Sequence, residues 1–377
     1  MDWVVFGDDW GAHPSTTQHL VRHLPDGDRV VWVNSIGMRA PRLTRSDGVR
    51  VLGRLQARLR LGAGATREPQ RSTNHARFRV VTPTVIPWHG SPLARLANRA
   101  LIARAVDDAR RALKMGAVHA LLANPVAARY LDALPVRRVG YLRLDDYPHL
   151  PGVDPALVRP AEQDLYRRAD VIFGTARALL PAPDAAAGRL VYLPQGVDQA
   201  HFAGPAHPVP DTRVIGFFGL IAEWIDGALV SAVARAHPDW TFEFVGPVRA
   251  VPAGLASAPN VVLKPGVPYA ALPAAIAHWR AGWVPFEVTT LTEGVNPLKL
   301  REYLAAGLPA ASTALPEAVA LSEDVHIVRT PGDLTTWLRG AVAQDDSTAR
   351  AARREGMRAH GWSARAEALR RAMGGES

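Results

Sequence analysis

The stretch Pro285–Gly307, PFEVTTLTEGVNPLKLREYLAAG, decides how the rest of the chain is read. It reads as the end of a strand, a polar loop and a short amphipathic helix. Pro285 and Phe286 close an apolar run, and Thr289, Thr290, Thr292, Glu293 and Gly294 form the loop. Asn296 is suited to cap the helix and Pro297 to open its first turn. Leu298, Tyr303 and Leu304 can face a core, while Lys299 and Glu302 lie three residues apart on one side. Such a helix start can hold a nucleotide diphosphate. The loop amides and the helix dipole favour phosphate, Lys299 can neutralise it, and Glu302 can accept hydrogen bonds from ribose hydroxyls. The alternative for Lys299 and Glu302 is a surface ion pair.

On either side of this segment, short apolar runs alternate with helical periodicity. Trp3–Gly7, Arg29–Asn34, Phe78–Thr82, Val118–Ala123, Val136–Leu144 and Val171–Gly174 read as buried strands in the first half. Val214–Phe218, Phe242–Val245, Val261–Leu263, Gly282–Pro285, Ala310–Ser312 and His326–Val328 do so in the second. Leu93–Leu113 reads as a helix, as do several shorter stretches. This alternation predicts an α/β protein with parallel sheets covered by helices. A chain of 377 residues is long for one core, so two domains are expected. The Pro- and Gly-rich stretch after Ala203 reads as a linker at 204–211.

Three further constellations could carry chemistry. Gly7–His19, GDDWGAHPSTTQH, leads from the first strand into a helix and holds Asp9, His13 and Ser15 at the mouth of a parallel sheet. Its alternative is structural: Ser15 or Thr16 as a helix cap, with Asp8 and Asp9 in local hydrogen bonds. Asp145-Asp146 ends another strand, and adjacent carboxylates can be driven apart in pKa, leaving one as a general base. The alternative is that one of the two only caps the next element. Gly219–Asp226, GLIAEWID, follows a strand of the second half and offers Gly219, Glu223 and Trp224. Trp224 is equally readable as a packing residue.

As a set, these pieces resemble the GT-B glycosyltransferases, especially the family-4-like bacterial enzymes of polysaccharide and teichuronic-acid-type synthesis. The resemblance rests on Asn296–Gly307 continuing into Leu308–Thr313 and Leu315-Pro316-Glu317. It extends to Leu193–Asp198 with Phe202, Gly216–Gly219 with Glu223–Asp226, Trp240 through Gly246-Pro247, and Gly361-Trp362-Ser363 with Arg365. It implies two Rossmann-like domains with parallel sheets facing across a cleft. Residues 1–203 would bind the acceptor and residues 212–346 the nucleotide sugar, with 347–377 a C-terminal helix crossing back to the first domain. It implies sugar transfer, of hexosyltransferase type and without a metal, from a nucleotide-diphosphate donor to a hydroxyl of a glycan or polyprenyl-linked acceptor. The donor would be UDP-linked and no cofactor is needed. Donor binding falls on Gly219, Glu223, Trp224, Asn296, Lys299 and Glu302, catalysis on Asp145, Asp146 and Lys299, and the acceptor loop on Asp9, His13 and Ser15. Two departures stand out. The Arg and Lys that many relatives carry after the Gly219 strand are missing between Gly219 and Ser231, leaving Lys299 as the phosphate cation. Counting back eight residues from Glu302 reaches Gly294 rather than a second glutamate. A nucleotide-sugar epimerase on the same fold, or a non-catalytic glycan-assembly protein, are the competing functions.

Composition narrows the remaining classes. The chain has no cysteine, which excludes disulfides, thiolate metal sites and cysteine nucleophiles. No apolar run reaches the roughly 20 residues of a membrane span, and no signal segment precedes the first strand. A cytoplasmic location is expected. Net charge is +9, concentrated in Arg39–Arg71, where nine Arg face only Asp47 and Glu68, a local +7. Leu52, Leu55 and Leu59 recur there at helical spacing beside Arg50, Arg54 and Arg58. This predicts peripheral contact with an anionic membrane on the inner face of the cell membrane, or else a solvated basic surface. Aromatic residues are not interleaved with the basic ones and no nucleic-acid motif is present, so nucleic acid is not an expected partner. No P-loop, GxGxxG or HExxH pattern occurs.

Overall fold

The computed structural model describes residues 1–12, 14–38, 76–88, 90–182, 189–204 and 209–375. Two compact units divide the chain: Met1–Leu193 with Ala366–Ser377, and Pro194–Arg365.

The first unit is built on β1 (Asp2–Phe6), β2 (Arg29–Val33), β3 (Phe78–Val81), β4 (Val118–Leu122), β5 (Val136–Arg143), β6 (Val171–Gly174) and β7 (Leu190–Tyr192). All neighbours are parallel, in the order β3-β2-β1-β4-β5-β6-β7. The second unit holds β8 (Val214–Phe218), β9 (Thr241–Val245), β10 (Val261–Lys264), β11 (Ala281–Val284), β12 (Ala310–Thr313) and β13 (Val325–Val328). Its parallel order is β10-β9-β8-β11-β12-β13. Continuous apolar runs such as Trp3-Val4-Val5-Phe6 are buried along their whole length, as strands covered on both faces require. The one strand the pattern does not reveal is β7. It has three half-buried residues at a sheet edge, too few to show a period.

Close packing positions the helices. Gly282 in β11 lets the Tyr303 ring lie against the strand; a Cβ there would come within 2.5 Å of the ring. Leu300, Tyr303 and Leu304 are fully buried and anchor the helix Leu298–Ala305. Each such side chain contributes about 1.5–3 kcal/mol by leaving water. The Phe218 amide donates to Tyr303 Oη at 3.3 Å, tying this helix to the end of β8.

The division falls between Leu193 and Pro194, ahead of the stretch expected as a linker. Phe202 gives the physical reason: it is buried in the second unit against Phe218 and Tyr269. Residues 205–208 lie outside the described residues. The helix Ser347–Gly356, expected to return to the first domain, belongs to the second unit. Arg350 and Arg353 both pair with buried Asp345, and Arg354 donates to the Ala306 carbonyl. Only from Ala366 does the last helix, Trp362–Gly374, join the first unit, where Met373 packs on Gly140 and Arg370 reaches Asp28.

Candidate functional site

In the second unit β8 and β11 are central neighbours, and the chain leaves them toward opposite edges of the sheet. The carboxyl ends of two such strands flank the crevice where open parallel sheets take ligands. Gly219 follows β8, and Pro285 and Phe286 follow β11. Gly219 has φ +130, and a Cβ on it would sit 2.3 Å from Lys299 Cε. Gly246, after β9, closes against it: a Cβ there would lie 1.8 Å from the Gly219 carbonyl oxygen. Only glycine at these two positions lets Lys299 lie along the backbone. Its Nζ stands 5.4 Å from the centre of the Phe217 ring and 6.0 Å from that of Phe286.

Lys299 makes no hydrogen bond or ion pair with any described residue, and neither does the Glu302 carboxylate. Burial lowers the Lys299 ammonium from its ordinary value, against the opposing pull of Glu302. Burial pushes Glu302 up to about 7; Lys299 restrains that rise and Asp198 adds to it. A half-buried cation and a buried carboxylate one helical turn apart, neither with a hydrogen-bond or ion-pair partner among the described residues, favour a ligand that brings both an anion and hydroxyl groups.

The surroundings of this pair differ from expectation in two ways. Pro297 occupies the cap position of the helix and makes no side-chain cap bond. Asn296 does not cap; its amide oxygen accepts from Arg301 Nη1 at 2.6 Å and its nitrogen donates to Glu317 at 3.3 Å, all three side chains being buried. Asn296 therefore fixes the loop that presents Lys299. The polar loop before it contains a helical turn, Thr290–Glu293, because Thr289 and Thr292 cap one another reciprocally.

Glu223 and Trp224 stand beside a cation that a search between Gly219 and Ser231 misses. Arg249, three residues past Gly246, pairs with Glu223 at 2.5 Å and lies 4.6 Å over the Trp224 ring. A bridge between Ile221 and Val248 brings the two loops together. The Arg249 hydrogen bond holds the exposed Glu223 carboxyl below its usual range. Trp224 packs edge-on against Phe286. The signal was the short distance of Arg249 from the Gly246-Pro247 strand end.

In the first unit the aspartate pair follows β5 and separates cleanly. Asp146 accepts from Arg143 Nη2 at 3.0 Å and is paired with His149 Nδ1. Arg143 is itself held by the buried Glu162, which also accepts from Tyr141. Asp145 has no hydrogen-bond or ion-pair partner among the described residues. Burial, with repulsion from Asp146, raises its carboxyl to about 6 despite Arg143.

The polar groups of the loop after β1 are engaged by its own helix and by the segment after β2. Asp8 accepts from Ser15 Oγ at 2.9 Å and Gln18 Nε2 at 3.0 Å. Ser15 also caps the helix Thr16–Arg22 through the Gln18 amide. Asp9, more exposed, accepts from the Ser35 amide at 3.2 Å. His13 and the basic stretch Arg39–Arg71 lie outside the described residues.

Two all-parallel sheets, each with polar loops at the carboxyl ends of its central strands, give this chain the two-unit α/β fold of the GT-B class. Solved structures share it along the whole chain. Sucrose-phosphate synthase from Thermosynechococcus elongatus is 14% identical over 100% of both chains, with a TM-score of 0.66. A trehalose-6-phosphate structure from E. coli, bound with UDP-2-fluoro glucose, is 13% identical over 99% of both, with a TM-score of 0.65. At these identities the likeness establishes the fold. In sequence the chain is similar to TuaH of Bacillus subtilis (strain 168), a protein assigned to teichuronic acid biosynthesis as a glycosyltransferase. The two are 32% identical over 126 residues, which is 32% of this chain and 31% of that one. The chain thus matches about a third of the length of its curated relative. No protein-family model matches it.

Proposed function

We propose that this chain is a glycosyltransferase. It moves a hexose from a UDP-linked donor to a hydroxyl of a glycan or polyprenyl-linked acceptor. The observation that carries the reading is the unpartnered pair Lys299 and Glu302 at the crevice between β8 and β11. Lys299 neutralises the charge that develops on the leaving diphosphate, a role that otherwise falls to a metal ion. Glu302 accepts from the ribose hydroxyls. Gly219 and Gly246 let Lys299 and the loop after β8 pack closely, while Asn296 with Arg301 and Glu317 positions the loop.

The bond from the anomeric carbon to the diphosphate oxygen breaks as the acceptor oxygen bonds that carbon, and the acceptor proton passes to Asp145. Asp145 suits this role because its carboxyl is raised to about 6 and is free of partners. It is ionised at neutral pH yet basic enough to take a proton. Asp146, beside it, is held by Arg143 and His149.

Calorimetry with nucleoside diphosphates tests the donor site. UDP should bind the wild-type chain and lose most of its affinity in Lys299→Ala. A turnover assay with UDP-hexoses should then release UDP, accelerated by a glycan acceptor. If no nucleoside diphosphate binds, or a free-sugar epimer is released instead, this reading fails.

A further inference from the structure

Large hydrophobic side chains are exposed at eleven described positions, and five of them fall within residues 86–101. They are Ile86, Trp88, Leu93, Leu96 and Leu101, with Leu93 81% and Leu96 68% exposed. Scattered singly, such residues need no explanation; gathered on one surface they mark an interaction site. The helix Pro92–Ala112 explains the gathering, because it carries two apolar faces. Ala94, Asn98, Ile102, Val106 and Ala109 are buried in the first unit. Leu93, Leu96, Ala97, Ala100 and Leu101 repeat at i, i+3, i+4, i+7 and i+8, the spacing of a second stripe on the opposite side.

Charge identifies what covers this stripe. Arg95, Arg99 and Arg104 are exposed on the same helix, and no acidic residue occurs between Ala76 and Val106. Trp88 and Leu93 rim a groove of about 870 Å³ that Arg129 and, at the start of the next α-helix, Asp154 also line. Burial lowers the Arg129 guanidinium from its ordinary value, with a smaller contribution from Arg95 in the same direction. Apolar teeth flanked by arginines, with a tryptophan at the edge, suit the boundary between acyl chains and anionic headgroups. Arginine stems pack on the apolar surface while their heads reach phosphate. A second copy of the chain fits poorly, since a self-complementary contact would bring these arginines against their own counterparts.

We infer that the outer face of the helix Pro92–Ala112, with Trp88, docks the first unit reversibly on an anionic bilayer. The docking does not depend on the transferase reading. It also differs from docking through Arg39–Arg71, the basic stretch noted in the sequence. No helix among the described residues is long and apolar enough to cross a membrane, so the contact lies in the interface plane.

The absence of cysteine makes the test clean. A single Leu96→Cys variant, labelled with a polarity-sensitive fluorophore, is mixed with vesicles of phosphatidylcholine alone or with added phosphatidylglycerol. Emission should shift blue only with the anionic vesicles and revert as salt rises. In vesicle sedimentation, Leu93→Ser with Leu101→Ser, and separately Arg95→Gln with Arg99→Gln and Arg104→Gln, should each weaken binding about tenfold or more. Circular dichroism confirms folding of each variant. Four results overturn the proposal: a blue shift without vesicles that grows with protein concentration (a second copy), a blue shift without vesicles that does not (cover by the chain itself), equal binding to both vesicle types or to neither, and binding lost on Arg50→Gln, Arg54→Gln and Arg58→Gln but retained in the helix variants.

Discussion

The loop after β1 in the first unit and the loops after β8 and β11 in the second occupy the same topological place, yet their polar groups fare differently. After β1, both Asp8 oxygens and Ser15 Oγ are taken up by the loop and the helix it opens, and one Asp9 oxygen by the Ser35 amide after β2. After β8 and β11, Lys299 and Glu302 hold charge without a partner among the described residues, although burial opposes both charges. A folded chain leaves such groups unpaired at a cost, and the cost is tolerated where a ligand completes the pairing. The comparison teaches that polarity at a strand end is weak evidence of a site, and that unpaired, desolvated groups are stronger evidence. Asp145 and Asp146 repeat the lesson side by side.

That last pair gives the largest expected effect. Asp145→Asn should lower turnover by about 100- to 10,000-fold with UDP affinity preserved. Asp146→Asn should cost far less and act by loosening Arg143. A base titrating near 6 works only when deprotonated, so wild-type kcat/KM should fall as pH drops through about 6. That acid limb should vanish in Asp145→Asn. Equal losses in the two variants would erase the distinction between the free and the engaged aspartate.

Lys299→Ala comes next, with a loss of about 100- to 1000-fold in turnover. Arg249→Ala, removing the nearby cation that is already paired with Glu223, should cost little by comparison. Reversal of that order would show that Arg249, not Lys299, meets the diphosphate.

Much of this was legible in the sequence and some was not, for physical reasons. Central strands such as β1, β4 and β8 were readable because parallel strands buried on both faces leave unbroken apolar runs, and the half-exposed β3 and β10 because they still carry several apolar residues in a row or in alternation. The Lys299 helix was readable because Tyr303 and Leu304 fix its phase, although Leu300 is fully buried where Leu298, expected to face the core, is half-buried. Asn296 was misread as a cap because local propensity favours it there. Tertiary contact with Arg301 and Glu317 overrides that preference. Arg249 was missed because a bridge between two loops, which no spacing reveals, carries it to Glu223. The split between Asp145 and Asp146 was also invisible, since it depends on Arg143 and His149 both turning toward one carboxylate.

Glu302→Gln should weaken UDP binding about tenfold, because the amide offers one acceptor oxygen where the carboxylate offers two. It should also stabilise the fold. A carboxyl raised to about 7 from its ordinary value binds a proton more tightly folded than unfolded. Wild type therefore loses stability as pH rises from about 4.5 to 7, and the variant should not. Above pH 7 the variant should be the more stable by about 1–3 kcal/mol, read by denaturant unfolding. Lower stability of the variant at pH 8 would mean Glu302 is a structural ion-pair partner after all.

Ser15→Ala gives the smallest effect and probes the satisfied loop. The hydroxyl accepts from the Gln18 amide as helix cap and donates to Asp8. Losing a cap costs about 1 kcal/mol, and losing a hydrogen bond to a charged group adds somewhat more. Burial already raises the Asp8 carboxyl, and Ser15 is the largest influence opposing that rise. Without Ser15 the folded-state value climbs further, so the ionised form is penalised more. The destabilisation should therefore be smallest at acid pH, where only the pH-independent loss of the cap remains, and grow as Asp8 ionises with rising pH. Turnover with saturating donor should stay within about twofold of wild type, as expected for a surface-loop change away from reacting groups. A large loss of turnover at unchanged stability would place Ser15 against the acceptor and make the β1 loop a second working site rather than a satisfied one.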